Sequence, residues 1–287
     1  MLSPKLFLPL ATALVLVSCA APQAESPAET EEDLVIQPAQ VVEQQAKEKV
    51  NNLFSISPAA HQAQQKALAN CMQEKGFSWT PQENPQSFDV RFLYQPPLLT
   101  PEDAETYGYQ TPSLELESAG TFPLSEEAMR AYGGDPEKGS VSVDGVSGAI
   151  AKDGCLATSY EKVFGSAEAG VLFTSGILNV PLPYVNEASL EGASYKKALE
   201  EWRSCMKNKY QVDIATPDLA AIDTSMDSKT LAIYDANCRE EANFETAVEE
   251  DLDAYMTTFL EEEAGLIDQI TQAKRTAEEN APKILGG

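Results

Sequence analysis

Apolar and polar positions alternate along this chain at helical rather than strand spacing. Ala60, Ala63, Ala67, Leu68 and Cys71 fall on one helical face, Ser57 followed by Pro58 is a start signal, and Gly76 a stop. A second stripe runs through Tyr195, Ala198, Leu199, Trp202, Cys205 and Met206, with Ser194 expected as its cap. Between them, a segment starting at Asp153 carries Cys155, Leu156, Tyr160, Val163 and Phe164 before Gly165. From about Ser228 to Glu279 the pattern is helical again, with Cys238 near its start. Here Val248, Leu252, Tyr255, Phe259, Leu266, Ile270, Ala273 and Ala277 follow a heptad-like seam. Glu262, Glu263 and Gly265 interrupt it, which reads as a kink, a helix-to-helix turn or a poor helix residue. The amphipathic stretch Val41 to Leu53 is expected to pack on this seam within the chain, the alternative being a coiled-coil contact with a partner.

Residues 78–150 break the helical pattern. They are rich in Pro, Gly, Ser and Tyr and hold short apolar pieces, Val90 to Tyr94 and the alternating Ser140-Val141-Ser142-Val143. The expectation is irregular, extended structure with one small hairpin and a short helix after Ser125. Long loops in compact domains are often functional. Tyr94, Tyr107, Tyr109, Tyr132 and Tyr184 are candidates for a recognition surface, since Tyr joins apolar area to a polar tip; the alternative is that they cover the core.

The first residues have the layout of an export signal, with Lys5, an apolar run from Leu6 to Val17, and small residues around a cut site. The run ends in Leu16-Val17-Ser18-Cys19-Ala20, which resembles the bacterial lipobox. That resemblance implies removal of residues 1–18, acylation of Cys19 and anchorage at the outer face of the cell membrane. One acyl chain holds a protein only marginally, so a stable anchor needs more than one. Residues 19–38 read as a disordered tether, poor in apolar side chains. At about 3.3 Å per residue such a segment reaches on the order of 60 Å when stretched.

Four cysteines remain, Cys71, Cys155, Cys205 and Cys238, and an even number in an exported chain reads as disulfides. Three pairings are open, and a repeated pattern discriminates among them. Leu68-x-x-Cys71-Met72-x-x-Lys75 precedes Thr80-Pro81 and Asp153-Gly154-Cys155; Trp202-x-x-Cys205-Met206-x-x-Lys209 precedes Thr216-Pro217 and Asp235-x-x-Cys238. The pairs Cys71–Cys155 and Cys205–Cys238 are therefore expected, each stapling helix to helix. The fold class that follows is mainly α. It has two disulfide-stapled modules, 39–170 with the irregular insert and 171–287 with a long C-terminal helix or helical hairpin.

The same motifs, with Tyr107-Gly108-Tyr109, Leu124-Ser125-Glu126-Glu127 and Asp235-x-x-Cys238-Arg239, resemble uncharacterised secreted proteins and lipoproteins of actinobacteria over about residues 60–245. The resemblance implies a location and a style of fold, in a thick-walled organism with one membrane, and no activity.

Charge and chemistry narrow the functions. The formal charge of −25 excludes nucleic acid as a partner, because phosphates would be repelled. His61 is the only histidine and is expected to be exposed, which leaves Ser-His-Asp and Cys-His catalysis without another base. Gly145-Val146-Ser147-Gly148 is one residue short of a nucleophile elbow. Ser159-x-x-Lys162 and Ser194-x-x-Lys197 both match a Ser-x-x-Lys pattern, with no Lys-Thr-Gly to support either. Asp251-x-Asp253 lies in a helical run unlike a calcium loop. No metal or cofactor is indicated. The expected function is a non-enzymatic binding or structural module that meets another envelope protein or a wall component. Alternatives are a wall-active hydrolase using paired carboxylates, or an accessory subunit of a transporter or sensor.

Overall fold

In a computed structural model, residues 36–82, 88–94, 97–110 and 125–286 are described; the export signal, Cys19 and nearly all of the tether lie outside them. The elements are α1 (Ala46–Phe54), α2 (Pro58–Glu74), α3 (Pro101–Tyr107), α4 (Glu126–Gly133), β1 (Ser140–Val143), β2 (Val146–Ala151), α5 (Cys155–Phe164), α6 (Ala167–Asn179), α7 (Leu182–Glu191), α8 (Ala193–Tyr210), α9 (Pro217–Ile222), α10 (Ser228–Glu241), α11 (Phe244–Glu262) and α12 (Ala264–Gly286). The protein is mainly α, and its helices are joined by two disulfides.

Local chemistry accounts for most boundaries. Ser57 Oγ accepts the Ala60 N–H at 3.3 Å to cap α2, with Pro58 at the first helical position. At the other end Gly76 takes φ +84°, and the Phe77 N–H returns to the Met72 carbonyl at 2.9 Å, satisfying a carbonyl the helix leaves open. α8 departs from expectation. It begins at Ala193, so Ser194 lies inside it, and the cap comes from Asp251 on α11. The Asp251 carboxylate accepts the Tyr195 N–H at 2.6 Å and the Ser194 N–H at 3.4 Å.

The disulfides are Cys71–Cys155, joining α2 to α5 with Cα atoms 5.5 Å apart, and Cys205–Cys238, joining α8 to α10 at 5.6 Å. Trp79 stacks on Tyr132 in the small apolar cluster that holds Cys71 and Cys155, and Tyr210 of α8 stacks on Tyr234 of α10, the two helices joined by the second bridge.

The heptad-like seam is used in two halves. Glu263 leaves helical geometry, and α12 starts afresh at Ala264, so the interruption is a helix-to-helix turn. Val248, Leu252, Tyr255 and Phe259 of α11 are buried where that helix packs on α1, α7 and α8. Ile270, Ala273 and Ala277 of α12 are buried where it packs on α2, α5 and α6. α1 lies against both, which is where the amphipathic stretch from Val41 to Leu53 goes; Val41 and Val42, ahead of the helix, are exposed. One apolar cluster spans Phe54, Phe164, Phe173, Trp202, Phe244, Phe259 and Ile270. Both expected modules contribute to it, and the boundary expected at 170 falls inside α6.

The insert holds more helix than expected. Asp144-Gly145 turns the expected hairpin, pairing Val143 with Val146 and Ser140 with Ala151, and α4 follows Ser125. Val90–Leu93, expected as extended, is a 3₁₀ turn capped by Asp89, whose carboxylate accepts the Arg91 N–H at 2.9 Å. α3 was not anticipated, although Thr100-Pro101-Glu102-Asp103 is a full start signal; Thr100 Oγ1 accepts the Asp103 N–H at 3.1 Å. No single helix among the described residues is long and apolar enough to cross a membrane.

Candidate interaction site

The five tyrosines singled out from the sequence do not form one surface. Tyr94 is 2 % exposed and meets Tyr195 edge-on, with ring centroids 6.1 Å apart. Tyr184 is 5 % exposed, packs edge-on against Phe259, and donates toward Glu262 and Glu263 at 3.3 and 3.2 Å. Tyr109 donates to Asp235 at 3.2 Å, and Tyr132 lies on Trp79. Only Tyr107, 48 % exposed, faces solvent to a large extent. The rings serve the core at separate places because each supplies apolar area there. Burial pushes the phenols of Tyr94, Tyr109 and Tyr184 well above their ordinary range, with carboxylates adding to the rise at Tyr109 and Tyr184.

The groups weighed for catalysis are also apart. His61 is buried, not exposed, and its Nε2 donates to the Gln82 carbonyl at 3.1 Å. Ser159 is sealed and donates to the Leu156 carbonyl at 2.7 Å; Lys197 is exposed beside Glu201. Ser147 donates to Asn179. Asp251 caps α8, while Asp253 accepts the Lys47 N–H at 3.1 Å. Among the described residues no three His, Cys, Asp or Glu side chains are grouped to hold a metal ion. A groove of about 440 Å³ between β1, α6 and α12 has Glu168 and Asp268 on its walls, and both carboxylates are exposed. The buried carboxylates, Asp235 and Asp251, are each occupied by hydrogen-bond donors within the fold.

What the fold does bring together is a chain of alternating charges beneath the insert. Asp235 on α10, 0 % exposed, accepts Trp202 Nε1 at 2.9 Å and Arg239 Nε at 2.8 Å on one oxygen. Its other oxygen accepts Arg239 Nη2 at 3.0 Å and the Tyr109 hydroxyl at 3.2 Å. Arg239 Nη1 donates to the Pro97 carbonyl at 2.6 Å and lies 3.5 Å from Glu245 Oε1. The second Glu245 oxygen accepts Arg91 Nη2 at 2.5 Å, and Arg91 Nε lies 3.2 Å from Glu249, which pairs in turn with Lys47. Glu245 thus joins two buried guanidiniums that hold the insert at Arg91 and at Pro97.

Holding it this way is costly. Buried ion pairs are worth little beyond a well-packed apolar substitute, and here Arg91 Nη1, the Tyr94 hydroxyl and the Glu245 oxygen that faces Arg239 are buried with no hydrogen-bond partner. Each such group costs about 1–3 kcal/mol. Phe92, next to Arg91, is 60 % exposed, and Leu98, next to Pro97, is 47 % exposed.

Sequence reasoning missed this arrangement. The Asp235-x-x-Cys238-Arg239 motif was legible, but as a cysteine context; its i, i+4 acid–base spacing on a buried helix face was the available signal. Nothing near Arg91 in the sequence points to Glu245. No known protein family, curated protein or solved structure matches the chain.

Proposed function

We propose that this protein is a lipid-anchored extracytoplasmic binding module that acts without catalysis, held at the outer face of the cell membrane through Cys19. The observation that carries the binding reading is that two buried guanidiniums hold the insert, Arg91, paired with Glu245, within Val90–Leu93, and Arg239, paired with Asp235, at the Pro97 carbonyl. A fold that accepts buried charge to fix a surface segment at Val90–Leu93 and at Pro97 has the form of a presented recognition surface, since pre-organisation lowers the ordering cost of association. Two disulfides fit an oxidising compartment, and the lipobox supplies the address.

Mass spectrometry of the native protein tests the address. A mature N-terminus at diacylated or triacylated Cys19 is expected, and an unmodified start elsewhere would sink the anchor. Incubation with purified wall polymer tests the absence of catalysis. Soluble fragments released by the wild type, but not by a variant at Glu168 or Asp268, would overturn it in favour of a hydrolase.

A further inference from the structure

We infer that the free edge of β1, with the groove it borders between α6 and α12, is a docking site for an extended peptide segment of a partner protein, one that carries an apolar side chain with Lys or Arg within two residues of it. The inference goes beyond the reading above and uses neither Cys19 nor the Arg91 and Arg239 contacts. The hairpin has two outer edges, and they differ. In an antiparallel pair, the backbone groups of successive residues point alternately toward the partner strand and away from it. The Lys152 N–H donates to the Gly139 carbonyl at 3.0 Å, and the register sets Val141 against Ile150. Gly139 and Val141 therefore face β2, while Ser140 and Ser142 turn their N–H and C=O groups outward. Both serines are exposed, and no described residue hydrogen-bonds to those four groups. The outer edge of β2 is occupied at both ends, where the Ala151 carbonyl accepts the Gly154 N–H at 3.3 Å and the Ser147 carbonyl accepts Asn179 Nδ2 at 3.2 Å. β1 carries neither the proline nor the charge that keeps an edge strand from pairing.

What adjoins the edge decides the occupant. Val143, next to Ser142, is the hairpin residue that lines the groove of about 440 Å³, and Ala169, Leu172 and Ala273 are its other apolar walls. Side chains alternate along a strand, so a strand laid on β1 would send every second side chain to the face that Val141 and Val143 share, toward α6 and the groove. Only another polypeptide offers N–H and C=O groups at the spacing that Ser140 and Ser142 present, and strand addition with one side chain in a pocket is an established form of peptide recognition. The two ionisable residues on the groove walls are the exposed acids Glu168 and Asp268, and exposed Asp144 follows Val143. Lys138, Lys152, Lys162 and Arg275 of the neighbouring elements do not line it, and Lys138 and Arg275 are already paired, with Asp153 and Glu279. Acidic walls around an apolar groove favour a cation close to the apolar side chain that enters it.

Panning of a phage-displayed library of random peptides of about ten residues, enough for one strand, on the immobilised full-length chain tests this. Enriched sequences are expected to hold an apolar residue with Lys or Arg within two positions. One of them, synthesised, should slow amide exchange at Ser140 and Ser142 when it binds. Its affinity should fall at least about tenfold for E168K/D268K and for A169L, which fills the groove. Glu168 and Asp268 are exposed, so E168K/D268K should melt with the wild type, and its weaker binding is then not a loss of fold. Methylation of every second backbone nitrogen of the peptide, which leaves the protein untouched, should weaken binding in one frame and not in the other, because only one edge of the peptide faces β1. No sequence enriched over a blank surface, enrichment of acidic sequences, or slowed exchange elsewhere than in β1 would overturn the inference. So would affinity indifferent to A169L, to E168K/D268K or to the frame of methylation.

Discussion

Arg239 grips Asp235 through two nitrogens, Nε on Oδ1 at 2.8 Å and Nη2 on Oδ2 at 3.0 Å, one helical turn apart on α10 and both sealed from solvent. The pair does more than neutralise itself, since the carboxylate also holds Trp202 and Tyr109 and the guanidinium holds Pro97. D235N keeps the shape of the side chain but takes the bidentate counter-charge from a buried guanidinium, leaving only Glu245 at 3.5 Å. Such losses cost about 3–5 kcal/mol. Urea unfolding with disulfides intact is expected to show a loss in that range for D235N, and a smaller one for D235N/R239M, because removing both charges spares the penalty of the unpaired one. Equal losses in the two variants would mean that the Trp202 and Tyr109 hydrogen bonds, not the charge pair, dominate.

A glycine on α6 sets how closely that helix approaches α5. A Cβ built on Gly170 would run into the ring of Tyr160, which is buried in the main apolar cluster. The Tyr160 hydroxyl meets Thr174 Oγ1 at 2.9 Å, one turn along α6, so the ring cannot swing away without losing that bond. Burial pushes its phenol up to about 12, so it stays neutral over the ordinary pH range. G170A gains helix propensity of about 1 kcal/mol but overpacks the core, which costs typically 1–3 kcal/mol. A net loss in thermal stability is expected, and the double variant G170A/Y160F should not restore it, because the clash is with the ring and not the hydroxyl.

The parts legible in the sequence were those written in local spacing. The stripe from Ala60 to Cys71, the stripe from Tyr195 to Met206 and the seam from Val248 to Ala277 each mark a buried face, and the repeated cysteine contexts indicated the pairs that form. The buried charge network was not legible for the opposite reason. Its charges come from five separated places, Lys47, Arg91, Asp235 with Arg239, Glu245 and Glu249, and a charged residue taken alone reads as surface. Tyrosine misled in a related way. An aromatic ring with a polar tip suits a recognition surface and a core boundary equally, and only tertiary packing separated the exposed Tyr107 from the buried Tyr94 and Tyr184.

The two disulfides close loops of different length, with sequence separations of 84 and 33. In the chain-entropy model each adds roughly 3–5 kcal/mol by restricting the unfolded chain, and the longer loop adds about 0.8 kcal/mol more. C71S/C155S is therefore expected to lose slightly more stability than C205S/C238S, each compared with the wild type by urea unfolding. A markedly larger loss for C205S/C238S would mean that this bridge also keeps α8 and α10 in register for the Trp202–Asp235 hydrogen bond, a native-state contribution that loop closure does not include.

Asp251 holds the start of α8 from a different helix, and its environment opposes its own charge. Burial raises its pKa, while the N–H groups of Tyr195 and Ser194 pull it the other way without cancelling the rise. A carboxyl whose pKa is higher folded than unfolded binds its proton more tightly in the native state. Its contribution to stability is then greatest below the unfolded value of about 4 and declines as pH rises through the folded value. D251A removes the cap at every pH and is expected to cost about 1–2 kcal/mol. D251N keeps one acceptor and cannot ionise, so the wild type should fare better against D251N at about pH 3.5 than at pH 7. Paired urea titrations at the two pH values measure that difference directly. An advantage that grows toward pH 7 would show that the hydrogen bonds at the α8 terminus outweigh burial, and that Asp251 serves as an ionised cap.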